Sequence, residues 1–280
     1  MGSLFEVPSR MRLLTAVGAV MLFLILACAS LALSAADTDG KPLVVGTTAN
    51  YPPVVYLQEG EVVGIEADFA QALGEELGRE IVLVDMSWEE LFDALDSRRI
   101  DVAMAGISVT EDRKDRVAFA EPYLEVGQMA LIRTADLGRL SAPAAMAARG
   151  RTIGVEKGTT GQRYIEEIYP HASLRSFSSP DDGVAALRRG EIEFFVHDAP
   201  TIWTLTLSAN LSTGSDIIAL YTPLTRERVA WAVQKENVAL VDALNAALLA
   251  MQRDGRAQRI LGKWITVSVT VSSPLAPVEF

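Results

Sequence analysis

Arg113 lies just past the loop Gly106-Ile107-Ser108, which ends an apolar run. A planar guanidinium there suits two-pronged capture of a carboxylate. The competing reading is a solvated charge in the polar run Thr110 to Arg116. Lys157-Gly158-Thr159-Thr160-Gly161 precedes a helical pattern, and backbone N–H groups at a helix start attract anions. The Gly-x-x-x-x-Gly-Lys-Thr order of a nucleotide phosphate loop is absent. An ordinary strand-to-helix turn with a capping threonine is the alternative. Asp198 ends a second apolar run and offers a carboxylate to an ammonium group, unless it only caps a helix after Pro200. His197 beside it has a ring N–H to donate, although a lone histidine is more often structural. Tyr51 and Trp88 follow strand-like segments, and aromatic walls grip an apolar stem or a cation. Core packing is the alternative for Trp88. A guanidinium, backbone amides, a carboxylate and aromatic walls are together complementary to a free α-amino acid.

These groups must be positioned by regular elements, and one phrase of sequence supplies them twice. Ala94-Leu95, four residues, Ile100-Asp101 and the apolar Val102 to Ala105 lead into Gly106. Ala186-Leu187, four residues, Ile192-Glu193 and the apolar Phe194 to Val196 lead into His197-Asp198. Each copy reads as a helix end, a basic turn, a buried strand and a polar loop. Each also follows an earlier strand, Leu43 to Gly46 or Thr152 to Val155. The expected fold is α/β in two lobes, with ligands at the carboxyl ends of the strands. Further expectations are a hairpin from Val54 to Ile65 and helices over Asp68 to Leu77, Trp88 to Leu95, Ala142 to Ala148, Gly161 to Ile168, Asp182 to Arg189, Thr201 to Ser208, Val238 to Gln252 and Gly255 to Trp264. A strand over Arg228 to Val233 is expected to cross back to the first lobe.

The chain has 280 residues, a formal charge of -11 and 50% hydrophobic residues, enough for about two domains. Phosphate binding needs clustered Lys and Arg, and no basic run is present, so nucleic acid is not an expected partner. Arg10 and Arg12 precede an uncharged stretch from Leu13 to Ala36, which has the form of an export signal, residues 1–36. Ile25-Leu26-Ala27-Cys28 fits a lipoprotein box with Cys28 lipidated, and Ser34-Ala35-Ala36 fits an ordinary cleavage site. A retained apolar anchor is the third reading. All three place the folded part outside the cytoplasm, in the periplasm or at the cell surface. Cys28 is the only cysteine, and two histidines are too few for a His-rich site. No disulfide, thiolate–zinc site, metal or cofactor is therefore expected.

The stretches Val45-Gly46-Thr47 with Tyr51-Pro52-Pro53, Gly64-Ile65-Glu66-Ala67-Asp68, Asp101 through Arg113, Phe119-Ala120-Glu121-Pro122-Tyr123, Val155 through Gly161, His197-Asp198 and Gly255 to Trp264 carry a resemblance. On them the chain resembles the periplasmic solute-binding proteins of polar amino-acid ABC transporters (family 3), typified by glutamine-, lysine/arginine/ornithine- and histidine-binding proteins. The resemblance implies a type II binding-protein fold with lobes joined by two crossing segments. Lobe one would be 43–125 plus 230–266, lobe two 126–229, and 267–280 a loose tail. It also implies a non-enzymatic monomer that closes like a hinge on an amino acid and delivers it to a permease. Arg113, with amides near Ser108 and Thr160 to Gly161, would hold the α-carboxylate. Asp198 and the carbonyl of Gly106, next to Ala105, would hold the α-ammonium. Tyr51 and Trp88 would sandwich the side chain, with Lys157 and His197 at its far end. Many relatives carry Asp where this chain has Thr48, so a neutral or mildly polar amino acid is expected.

Two other functions stay open at this level. Periplasmic cyclohexadienyl or arogenate dehydratases resemble this scaffold but need an acid within reach of the leaving group, and the loop after Gly161 offers Gln162. A stand-alone sensory binding module is the other.

Overall fold

The structure is a computed structural model that describes residues 40–212, 216–220, 222–265 and 278–279. The proposed leader, with Cys28, lies outside the described residues. Two five-stranded mixed sheets organise the rest. The first has the order Ile81–Asp85, Leu43–Thr47, Val102–Ala103, Ala232–Gln234, Val117–Phe119. Its first three strands are parallel, and Ala232–Gln234 runs antiparallel to both neighbours. The second has the order Ser173–Phe177, Thr152–Glu156, Phe194–Asp198, Gln128–Arg133, Ile217–Leu220. Again three strands are parallel, and Gln128–Arg133 is antiparallel to both neighbours.

The repeated phrase is thus a repeated structure. Ala94, Leu95, Ala186 and Leu187 are all fully buried on the helices Trp88–Asp96 and Pro180–Arg188. Ile100 and Ile192 pack over Gly46 and Gly154, and a Cβ at either glycine would come within 2.4 Å of the isoleucine Cδ1. Asp101 and Glu193 each donate a backbone N–H to the neighbouring strand, to Val44 O and Thr152 O at 2.8 Å. Their carboxylates accept the N–H of those same residues. Successive side chains of a strand point to opposite faces. Val45 and Val44 accordingly enter two different apolar clusters, as do Phe195 and Phe194 in the other lobe.

Several boundaries follow local chemistry. The hairpin Val55–Gln58 to Glu61–Val63 turns through Glu59 and Gly60, both at positive φ, which suits strand twist. Helix Ile65–Leu77 starts three residues before Asp68 and stops at Gly78, which adopts the left-handed conformation. The Ala-rich stretch forms a short 3-10 turn, Pro143–Ala145, rather than the helix expected over Ala142 to Ala148. Its backbone bonds run three residues back, from Ala145 N to Ala142 O and from Ala147 N to Ala144 O, and Gly150 at positive φ ends the stretch. The strand expected over Arg228 to Val233 is two strands, Thr225–Val229 and Ala232–Gln234. The first belongs to the hinge, pairing antiparallel with Leu124–Val126, and the second to the first sheet. Helix Ala199–Ser212 is longer than expected, and the strand expected to reach Ala105 ends at Ala103. Of the expected tail, Val278–Glu279 pairs parallel with Thr225–Arg226, and 267–277 and 280 lie outside the described residues.

Candidate functional site

The carboxyl ends of the two parallel strand sets face each other across a cleft. A small cavity there is lined by Tyr51, Trp88, Ala105, Gly106, Ser108 and Arg113 from the first lobe and Thr160, His197 and Asp198 from the second. All nine are residues the sequence singled out. Thr48, Asn50, Glu156 and Thr159 complete the lining.

Gly106 turns the backbone at φ +67, and a Cβ there would meet Tyr51 Cε1 at 2.6 Å. Its N–H donates to Glu66 Oε1 at 2.8 Å, and that buried carboxylate also accepts from the Tyr123 hydroxyl (2.7 Å) and Trp231 Nε1 (2.9 Å). Burial raises the Glu66 pKa, and these three donors draw it partly back.

Arg113 is placed by the short helix Glu111–Lys114, whose start is capped by the Thr110 hydroxyl. Its guanidinium donates to Ser108 O at 2.8 Å and reaches across the cleft to Gly158 O at 3.4 Å. It lies 5.1 Å from the Trp88 ring centroid, and Trp88 Nε1 donates to the same Gly158 O. Trp88 therefore lies under Arg113, while Tyr51 makes an edge contact with His197 at 5.5 Å. Desolvation lowers the Arg113 pKa to about 10, still a full charge at neutral pH.

Asp198 ends its strand opposite Gln128 in the antiparallel register. It accepts from the Tyr51 hydroxyl across the cleft and from Gln128 Nε2. Burial raises its pKa to about 6, with the charge of Glu227 adding to the effect and His197 and the hydrogen bonds opposing it. The register Val155↔Val196 sets Glu156 beside His197, and Glu156 Oε2 lies 2.9 Å from His197 Nε2. His197 Nδ1 accepts the Asp198 N–H at 2.8 Å. Burial lowers the His197 pKa, but Glu156, Asp198 and Glu227 outweigh it and leave the pKa raised.

Two expected contacts fall elsewhere. Lys157 is exposed and pairs with Glu89 at 2.6 Å across the cleft mouth, as Arg163 does with Asp112 at 2.8 Å. Strand alternation explains this: Glu156, one residue earlier, has the face that looks inward. Gly161 lies outside the lining, against Gln128, whose Oε1 would be 2.7 Å from a Cβ. Gln162 turns back to its own loop, accepting from Gly158 N and donating to Glu166.

The sequence reading missed a polar web behind the cavity. Glu227 Oε2 accepts from Ser108 Oγ (2.6 Å) and Thr160 Oγ1 (2.7 Å), and Oε1 from Thr225 Oγ1 (2.6 Å) and Gln128 Nε2 (3.2 Å). One hinge carboxylate thus joins both lobes. The alternation of Thr225, Glu227 and Val229 was the signal for it, since these three are buried between exposed arginines.

The raised pKa values of Asp198, Glu66 and His197 predict how stability varies with pH. Between about pH 5 and 7 the native state holds protons on these groups that the unfolded chain releases. Stability therefore rises as pH falls through that window. We expect the ligand-free protein to gain about 1 kcal/mol, or roughly 2–4 °C in Tm, between pH 7.5 and 5.5. Differential scanning calorimetry checks it, and a fall in Tm over that interval would contradict these protonation states.

Two mixed α/β lobes on a two-strand hinge, with polar residues of both lobes lining the cleft, define a two-lobed binding protein of the type II periplasmic class. The chain belongs to the bacterial extracellular solute-binding proteins, family 3, whose profile matches residues 43–267. It is 29% identical over 230 residues to the L-cystine-binding protein TcyJ of Escherichia coli, covering 81% of this chain and 84% of that one. It is 28% identical over 256 residues to the arginine-binding extracellular protein ArtP of Bacillus subtilis, covering 91% and 97%. An ancestral arginine-binding protein bound to glutamine superposes with a TM-score of 0.75 at 27% identity, covering 82% of this chain and all of that one. These relatives are binding proteins, and this chain is one too, rather than an enzyme. Among the described residues no helix is long and apolar enough to cross a membrane, and no cluster of His, Cys, Asp or Glu could hold a metal.

Proposed function

We propose that this protein captures a free amino acid by closing its lobes, then presents it to the permease of an ABC transporter outside the cytoplasm. The observation that carries the reading is that Arg113 and Asp198, on opposite lobes, line one cavity with Ser108 and Thr160. Arg113 would take the α-carboxylate with hydroxyl and backbone donors of Ser108 and Thr160. Asp198 and the Gly106 carbonyl would take the α-ammonium. Both half-sites meet only when the lobes close, so the ligand favours closure.

The Tyr51 hydroxyl is bonded to Asp198 across the cleft, so the group that would take the ammonium is already engaged. Entry therefore requires the lobes, 43–125 with 230–266 against 126–229, to part and the Tyr51 hydroxyl to leave Asp198. Residues 1–36 would serve as the export signal, with lipidation at Cys28 tethering the protein to the membrane surface.

A thermal-shift screen against the common amino acids and a few keto-acids tests the reading. Stabilisation by an amino acid supports it. No shift with any of them removes it. Binding needs an ionised Asp198, so affinity should fall below about pH 6, by up to tenfold per pH unit. The ligand-free protein gains stability over the same interval. Calorimetric titrations at pH 5 and 7.5 check the affinity side, and an equal Kd at both would remove Asp198 as the ammonium partner.

A further inference from the structure

We infer that Glu156 grips the far end of the ligand's side chain and that the ligand is a basic amino acid, carrying a guanidinium or ammonium there. The inference rests on the amino-acid reading above and names the class within it.

Glu156 lines the cavity and is 7% exposed. Its Oε2 is engaged by His197, but its Oε1 is buried without a partner. With Nδ1 of His197 accepting the Asp198 N–H, the ring proton is on Nε2 facing Glu156 Oε2, and above its raised pKa the ring is neutral. The charge of Glu156 is then not cancelled by its neighbour. A buried carboxylate in that state is costly and favours a cation at its open oxygen. Such a cation would supply the charge that a second proton on His197 would otherwise bring.

The remaining charges of the lining point the same way. Arg113 and Asp198 answer the carboxylate and ammonium common to every α-amino acid. Glu156 is left over, and Lys157 nearby is committed to Glu89. Thr48 Oγ1, from the opposite lobe, is a second lining oxygen without a partner. Threonine at position 48 withholds an acid from the first lobe, and the second lobe supplies one. A ligand with a distal carboxylate and no distal cation, such as glutamate, would bring like charge to Glu156 with no lining cation to meet it.

Isothermal titration calorimetry of the full chain with L-arginine, L-lysine, L-ornithine, L-glutamine, L-leucine and L-cystine tests this. At least one basic ligand should bind about 30-fold or more tighter than glutamine. Glu156→Gln should weaken that ligand by about 10- to 100-fold and change glutamine by less than about threefold. Glu156→Asp, which keeps the charge, should retain part of the preference. Should the Gln variant fail to fold, the wild-type ranking and the Asp variant decide. Glutamine, leucine or cystine binding as tightly as the basic ligands would overturn the side-chain assignment alone. An unchanged basic affinity in Glu156→Gln would do the same. Binding of no amino acid would overturn it together with the reading on which it rests.

Discussion

Asp198→Ala and Arg113→Ala should each abolish capture at working ligand concentrations. Removing one member of a desolvated, hydrogen-bonded charge pair costs about 2–5 kcal/mol, which is roughly 30- to several-thousand-fold in Kd. The loss is large because the ligand's matching charge would be buried with nothing opposite it. Folding should survive in both variants. Asp198 is ionised at a cost in the empty cleft, its pKa being raised to about 6, so Asp198→Ala should leave the ligand-free Tm at pH 7.5 unchanged or higher. Asp198→Asn keeps an acceptor for Tyr51 and should lose less affinity than alanine. Titration calorimetry beside a melting curve separates the two effects. Wild-type affinity in both alanine variants would sink the assignment.

Glu227→Ala should produce the largest loss of stability among substitutions in the cleft. It strips a shared acceptor from the hydroxyls of Ser108, Thr160 and Thr225 and from the Gln128 amide, all of them buried. Hydrogen bonds to a charged group contribute about 1.5–3 kcal/mol each, and they are not additive. A total loss of about 3 kcal/mol or more is expected, read as a lowered denaturant midpoint. Glu227→Gln should be milder and informative in another way. The negative charge of Glu227 helps hold the Asp198 pKa up. Its removal should move the acid limb of the binding curve to lower pH, and an unmoved limb would show that the two carboxylates are not coupled.

The residues legible in the sequence were those that sit at or just past the carboxyl end of a strand. Gly106, Ser108, Thr160, His197 and Asp198 are all of this kind, and each reaches the cavity. Arg113 was found because its short helix follows the first loop directly. Lys157, expected at the side-chain end from the family resemblance, pairs with Glu89 instead, and strand alternation gives the inward face to Glu156. Gln128 and Glu227 were invisible for a different reason. They lie on crossing strands that act on the site only once the two lobes are assembled, so their neighbours are far away in sequence. Glu227 bonds Ser108 across 119 positions. The boundary errors, such as the single strand drawn over Arg228 to Val233, arose in the same hinge. There apolar content is continuous while the hydrogen-bonding partner changes from one strand to the next.

The return strand Ala232–Gln234 sets the order in which the molecule can assemble. It lies between Val102–Ala103 and Val117–Phe119, so the first sheet is split in two until this late segment arrives. The helix Val238–Arg253 then covers the same lobe, burying Leu244, Leu248 and Met251 in its core. The second sheet draws all five strands from residues 128–220 and needs nothing from later in the chain. During synthesis, therefore, the lobe made first is completed last, and its apolar surface waits on contacts of long sequence separation that form slowly. The second lobe can therefore become compact while the first still lacks its central return strand and covering helix.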